Sequence, residues 1–154
     1  MFKTFFLSPV SQQYKPLGMK NGRIPSRAIS ASSKWDRYHG PSRARLYITQ
    51  RGRYRGAWSA RHNTAYQWIM IDFFTPVKVL ALATQGRADA SQWVTRYYLT
   101  YGFDGINFVL YMCRKVRNNN FRPLQNSLFK NNWPSYVRII KKRSTDVLRV
   151  KSLF

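Results

Sequence analysis

Residues 81–101 read Ala-Leu-Ala-Thr-Gln-Gly-Arg-Ala-Asp-Ala-Ser-Gln-Trp-Val-Thr-Arg-Tyr-Tyr-Leu-Thr-Tyr. An apolar run gives way to small residues at Thr84-Gln85-Gly86-Arg87, and the chain passes Trp93 into a second run in which Tyr97, Leu99 and Tyr101 alternate with other residues. Alternation with a period of two places successive side chains on opposite faces of a strand, so one face is buried and the other is not. The stretch is therefore strand, loop, strand, and the same grammar recurs on both sides of it.

Short runs rich in β-branched and aromatic residues lie at 67–73, 77–84, 96–101, 108–113, 136–141 and 147–151. Val137 and Ile139 alternate with Arg138, and Leu148 and Val150 with Arg149 and Lys151, as half-buried strands require. Val77 to Ala83 is almost continuously apolar apart from Lys78, which predicts a central strand covered on both sides. Asp104-Gly105 between two runs predicts a hairpin, because glycine accepts the positive φ of tight turns. No segment carries a long 3.6-residue period. A chain of 154 residues makes one domain with a real core, here an all-β antiparallel β-sandwich over residues 16–154 preceded by a tail at 1–15.

Charge is the second large fact. Lys and Arg number 27 against five acids, all Asp, for a net charge of +22. Such an excess opposes compaction and attracts polyanions: nucleic acid, sulfated glycan or an anionic membrane face. Ten Tyr, ten Phe and five Trp among those cations also fit a single-strand binder. No helix-turn-helix, zinc-finger or RNA-recognition signature accompanies them. The segment Tyr47-Ile48-Thr49-Gln50-Arg51-Gly52-Arg53-Tyr54-Arg55 has the make-up of a base-stacking or phosphate-clamping arginine segment, but one short copy reads first as a solvated loop. Arg114 to Arg122 reads as another exposed connection.

The inventory for catalysis is thin. His39 and His62 are the only histidines, Glu is absent, and Asp36 and Asp89 are scattered. Ser33, Asp36 and His39 lack a nucleophile-elbow setting. The single thiol, Cys113, has no CxxC partner and reads as a small core hydrophobe. A zinc site needs more His and Cys, and a calcium site more carboxylates. The expectation is a non-catalytic protein with no metal and no cofactor. Met1 to Leu7 holds an apolar run far shorter than a signal-peptide core, and nothing reaches transmembrane length.

Fragments in order along the chain resemble the discoidin family, also called the coagulation factor V/VIII type C domain. They are Leu17-Gly18-Met19-Lys20-Asn21-Gly22-Arg23-Ile24-Pro25, Ile29-Ser30-Ala31-Ser32-Ser33-Lys34-Trp35, His39-Gly40-Pro41-Ser42-Arg43-Ala44-Arg45-Leu46, Gly56-Ala57-Trp58-Ser59-Ala60, Gln67-Trp68-Ile69-Met70-Ile71-Asp72-Phe73, Thr84-Gln85-Gly86-Arg87, Asp104-Gly105-Ile106-Asn107-Phe108, Trp133-Pro134-Ser135-Tyr136-Val137-Arg138-Ile139 and Val147-Leu148-Arg149-Val150-Lys151.

The resemblance implies a jelly roll of about eight strands with loops protruding at one end, where aromatic and basic tips touch ligand. It places a first loop at Ser33–His39, a second at Ser59–Asn63 and a third at Gly86–Ser91. Lys34, Trp35, Arg37, Arg61 and Arg87 become the candidate ligand-binding residues, with Trp35 foremost. Trp58, Trp68 and Trp93, beside strand-like runs, are expected in the core or beneath loops. The disulfide that usually ties the family's ends is missing: Tyr14 and Lys15 precede Pro16, and Leu153-Phe154 closes the chain. The family's collagen mode, which sets an acid near the third loop's Arg, is less supported here, since Glu is absent and Asp89 is the only nearby candidate. The implied partner is an anionic phospholipid, a glycan or an extracellular protein, met outside the cell or at its surface with peripheral membrane contact; the alternative is general polyanion binding to nucleic acid or sulfated glycosaminoglycan.

Overall fold

The computed structural model describes residues 16–115, 121–123, 133–144 and 147–153; the expected tail at 1–15 lies outside them. Nine strands are assigned among the described residues: β1 (Ile29–Ala31), β2 (Trp58–Ser59), β3 (Trp68–Asp72), β4 (Ala81–Gln85), β5 (Val94–Gly102), β6 (Val109–Lys115), β7 (Phe121–Pro123), β8 (Tyr136–Ser144) and β9 (Val147–Leu153). They form a five-stranded sheet, β1-β3-β8-β5-β6, and a four-stranded sheet, β2-β9-β4-β7. Every pairing is antiparallel. The only helical pieces among the described residues are short 3-10 turns at Ser26–Ala28, Arg37–His39 and Pro41–Arg43. The architecture is the expected jelly-roll sandwich.

The alternating residues supply its core. Ile69 and Ile71 of β3, Val137 and Ile139 of β8 and Leu99 of β5 are buried in register, and Leu82, Val79, Trp58 and Met19 close the cluster. Each such side chain contributes roughly 1.5–3 kcal/mol when fully buried. The predicted strand at 77–84 is corrected: β4 begins at Ala81. Residues 73–80 carry the chain from one sheet to the other, with the Val77 amide bonded to the Pro134 carbonyl and Val79 buried without a ladder. A continuous apolar run reports burial and not strand pairing. Arg114 to Arg122 is corrected in part, since β6 extends to Lys115 and β7 starts at Phe121, with 116–120 outside the described residues. Cys113 lies in β6, and its side chain is outside what is described.

The Asp104-Gly105 hairpin joins β5 to β6. Gly105 has φ 76°, and a Cβ there would meet the Tyr136 ring at 3.2 Å. Asp104 caps the turn by accepting from the Ile106 and Asn107 amides at 2.9 and 2.8 Å. These bonds from Asn107 and Ile106 hold its carboxyl at about 2.

Register fixes where the loops emerge. Trp68 opens β3 opposite Ile140 near the end of β8, and Val94 opens β5 opposite Ser144. Ala31 closes β1 opposite Ile69. The end of β1 and the starts of β3 and β5 therefore share one end of the five-stranded sheet. The three connections that cross there to or from the four-stranded sheet, 32–57, 60–67 and 86–93, contain the three predicted loops.

Candidate loop-end recognition site

The stretch 55–61 is the spine of this end. On one side it holds the first loop: the Trp35 amide donates to the Ser59 carbonyl at 2.8 Å, and the Arg55 amide donates to the Tyr38 carbonyl at 3.1 Å. Trp58, 1% exposed, donates its indole N–H to the Ser33 carbonyl at 2.8 Å. Ser33 Oγ accepts from the Arg61 amide at 3.0 Å and bonds Gln67 Oε1 at 2.6 Å, so the first and second loops are stitched together. Those bonds also occupy the hydroxyl that would have had to face His39.

The Asp36 carboxylate is turned into its own loop. One oxygen accepts from the Tyr38 and His39 amides at 2.7 and 2.9 Å and meets His39 Nδ1 at 2.7 Å. Partial burial pushes this carboxyl up, but the His39 imidazole and the two amides outweigh it and hold the group below its usual value. Asp36 caps the 3-10 turn Arg37–His39, an N-cap role that satisfies otherwise orphaned amides. The loop tip is thereby rigid, and Trp35 stands 65% exposed at it. An indole so placed keeps most of its surface in water. Lys34, Arg37 and Arg61 are exposed around it.

The third loop differs. Arg87 donates from Nε and Nη2 to the two Asp89 oxygens, each at 2.9 Å, and from Nη1 to Gln92 Oε1 at 2.8 Å. The bidentate bond from Arg87 outweighs partial burial and holds the Asp89 carboxyl at about 2. Arg55 approaches the same carboxylate at 3.7 Å. Asp89 thus sits where the resemblance wanted an acid beside the third-loop Arg, and the Arg87 guanidinium is a latch largely out of solvent.

Trp68 is half-buried, with the Arg138 guanidinium 4.8 Å from its ring centroid, while Trp93, expected in the core or beneath a loop, is outside the core, 47% exposed beside the third loop. Its neighbour Val94 takes the buried slot that opens β5, and alternation turns Trp93 outward. The Arg-Tyr segment 47–55 is exposed as expected but not loose. Arg51 and Tyr54 pair as an antiparallel bridge, and Arg43 ties the segment down through the Arg55 carbonyl at 2.6 Å and the Thr49 carbonyl at 2.8 Å. Sequence reasoning missed that Tyr54 lies edge-on to Tyr38, centroids 5.5 Å apart, which joins this segment to the first loop. No cluster of His, Cys, Asp or Glu suited to a metal occurs among the described residues.

The family model described as F5/8 type C domain matches residues 28–150. Over 117 residues the chain is 35% identical to EGF-like repeat and discoidin I-like domain-containing protein 3 of Homo sapiens, covering 68% of this chain and 23% of that protein. It is 36% identical over 141 residues to coagulation factor V of Sus scrofa, covering 82% of this chain and 6% of that protein. The chain therefore spans under a quarter of these relatives' length. Among solved structures it is similar to the family 32 CBM from C. perfringens NanJ in complex with galactose, with a TM-score of 0.59, 17% identity, and 84% of this chain and 94% of that chain covered.

Proposed function

The chain belongs to the F5/8 type C domain family, and from that premise we propose that it is a non-catalytic recognition and adhesion module. It acts outside the cell or at its surface, within a longer protein, and takes an anionic phospholipid or a glycan at its loop end. The observation that carries the reading is Trp35, exposed on a loop braced from beneath by Trp58 and Ser59. An amphipathic ring on a rigid tip inserts into a bilayer interface or stacks on a sugar with little ordering cost. Lys34 and Arg61 add charge beside it, each contributing about 1 kcal/mol near an anionic surface. Arg37 lies on the same loop. Arg87 serves by bracing the third loop, through Asp89, against the spine. The galactose complex of a similar fold favours keeping a glycan beside the lipid as ligand class. No helix among the described residues is long and apolar enough to cross a membrane.

Co-sedimentation with phosphatidylserine and phosphatidylcholine vesicles tests the proposal. Selective capture by phosphatidylserine is expected. Equal capture by both, or by neither while galactosides also fail to bind, would remove it.

A further inference from the structure

Two guanidinium groups converge on one phenol at the back of the first loop. Arg37 Nη2 donates to Tyr38 Oη at 2.8 Å with its guanidinium carbon 4.9 Å from the ring centroid, and Arg53 Nη1, from the bridged segment, reaches the same oxygen at 3.4 Å. A phenolic oxygen both accepts and donates, while a guanidinium only donates, so the Tyr38 O–H is spent on neither arginine. Neither arginine is ion-paired among the described residues. The acids of the first and third loops are committed elsewhere, Asp36 to its own turn and Asp89 to Arg87 and Arg55. Two exposed like charges are thus held together by the fold, uncompensated, around a free O–H donor. Such an arrangement is complementary to a tetrahedral oxyanion, which accepts from planar guanidinium forks and from a hydroxyl at once.

We propose that Arg37, Arg53 and Tyr38 form a seat for a sulfate ester, and that its bearer is a sulfated glycan chain. The half-exposed Tyr54 stands edge-on beside Tyr38 and offers a ring face next to the charge, which a sugar uses and a lipid headgroup does not. Arg51, also exposed, continues the cationic track along the segment, as a linear polymer requires. The seat hangs from a different point of the spine: Trp35 is anchored at Ser59 and Tyr38 at Arg55, four residues along it. It does not depend on Trp35, and either site stands if the other fails.

Calorimetric titration with a heparin-derived hexasaccharide at physiological salt, and with its fully desulfated form, tests the seat. The sulfated probe binds and the desulfated one does not. Arg37→Gln and Arg53→Gln each weaken binding about tenfold, the loss of a charge-assisted hydrogen bond, whereas Arg27→Gln and Lys78→Gln, exposed at the opposite end of the sandwich, change it less than twofold. Arg53→Lys, which keeps the charge and the fold but not the fork, retains only part of the affinity. Equal losses for Lys78→Gln and Arg53→Gln would mean diffuse attraction and overturn the seat. So would losses for Arg53→Gln on phosphatidylserine vesicles with the hexasaccharide unaffected, which would assign the arginines to lipid phosphate.

Discussion

The first and third loops leave the same end of the sandwich, and each carries arginine among small or polar residues, yet they hold it in opposite ways. In the third, Asp89 takes Arg87 in a two-pronged bond and Arg55 closes on the same carboxylate. In the first, the only acid, Asp36, is consumed by its own turn, and Arg37 is left to an aromatic ring and a second arginine. One loop is neutralised and braced, the other charged and displayed. The net charge of +22 is therefore not uniformly available. Arg45, spent on the Met19 and Ile24 carbonyls at 2.9 and 2.7 Å, makes the same point in the interior.

The contrast breaks most severely if the spine is removed. Trp58→Ala deletes a buried indole and the bond to Ser33, and is expected to cost about 3–5 kcal/mol in denaturant unfolding. It should also abolish ligand binding, because the first and second loops lose their shared anchor at Ser33. Next in size is Asp89→Asn, which unlatches the third loop at a cost of roughly 2 kcal/mol. Asp89 is depressed in the fold, so its contribution is complete above the ordinary carboxylate value of about 3.9 and fades as pH falls through the folded value of about 2. Urea midpoints of the wild type and Asp89→Asn should differ at neutral pH and converge toward pH 2. Persistence of the gap at that pH would show that Asp89 acts by shape and not by charge.

Smaller effects sharpen the comparison. Arg61→Gln is expected to weaken phosphatidylserine binding about fivefold, the contribution of roughly one interfacial cation. Arg87→Gln should lower stability more than it lowers binding per folded molecule; a reversed ranking would place the third loop's cation in direct contact with ligand. Smallest of all is the stability change of Trp35→Ala, expected within about 0.5 kcal/mol by chemical denaturation because the side chain supports nothing beneath it.

Much of the scaffold was legible as alternation. Ile69 and Ile71, or Val137 and Ile139, announce a buried face because a period of two has one structural meaning. Val77 to Leu80 was not legible, since a buried crossover and a central strand are both continuously apolar. Trp35 and Trp58 are equally hydrophobic, and only the tertiary bond from Trp58 to Ser33 separates tip from prop. Asp89 beside Arg87 was readable because the partners lie two residues apart. The meeting of Arg53 with Tyr38 was not, because it depends on how a bridged segment folds back across fifteen residues.

If the proposed reading holds, the displayed tip, and not bulk charge, holds the ligand surface. The most direct test of that reading is sedimentation of wild type and Trp35→Ala with phosphatidylserine vesicles as salt is raised to about 1 M, where the screening length shrinks to about 3 Å. Wild type is expected to keep a salt-resistant bound fraction from the inserted indole, and Trp35→Ala to lose it. Two curves that fall together to zero would contradict the reading.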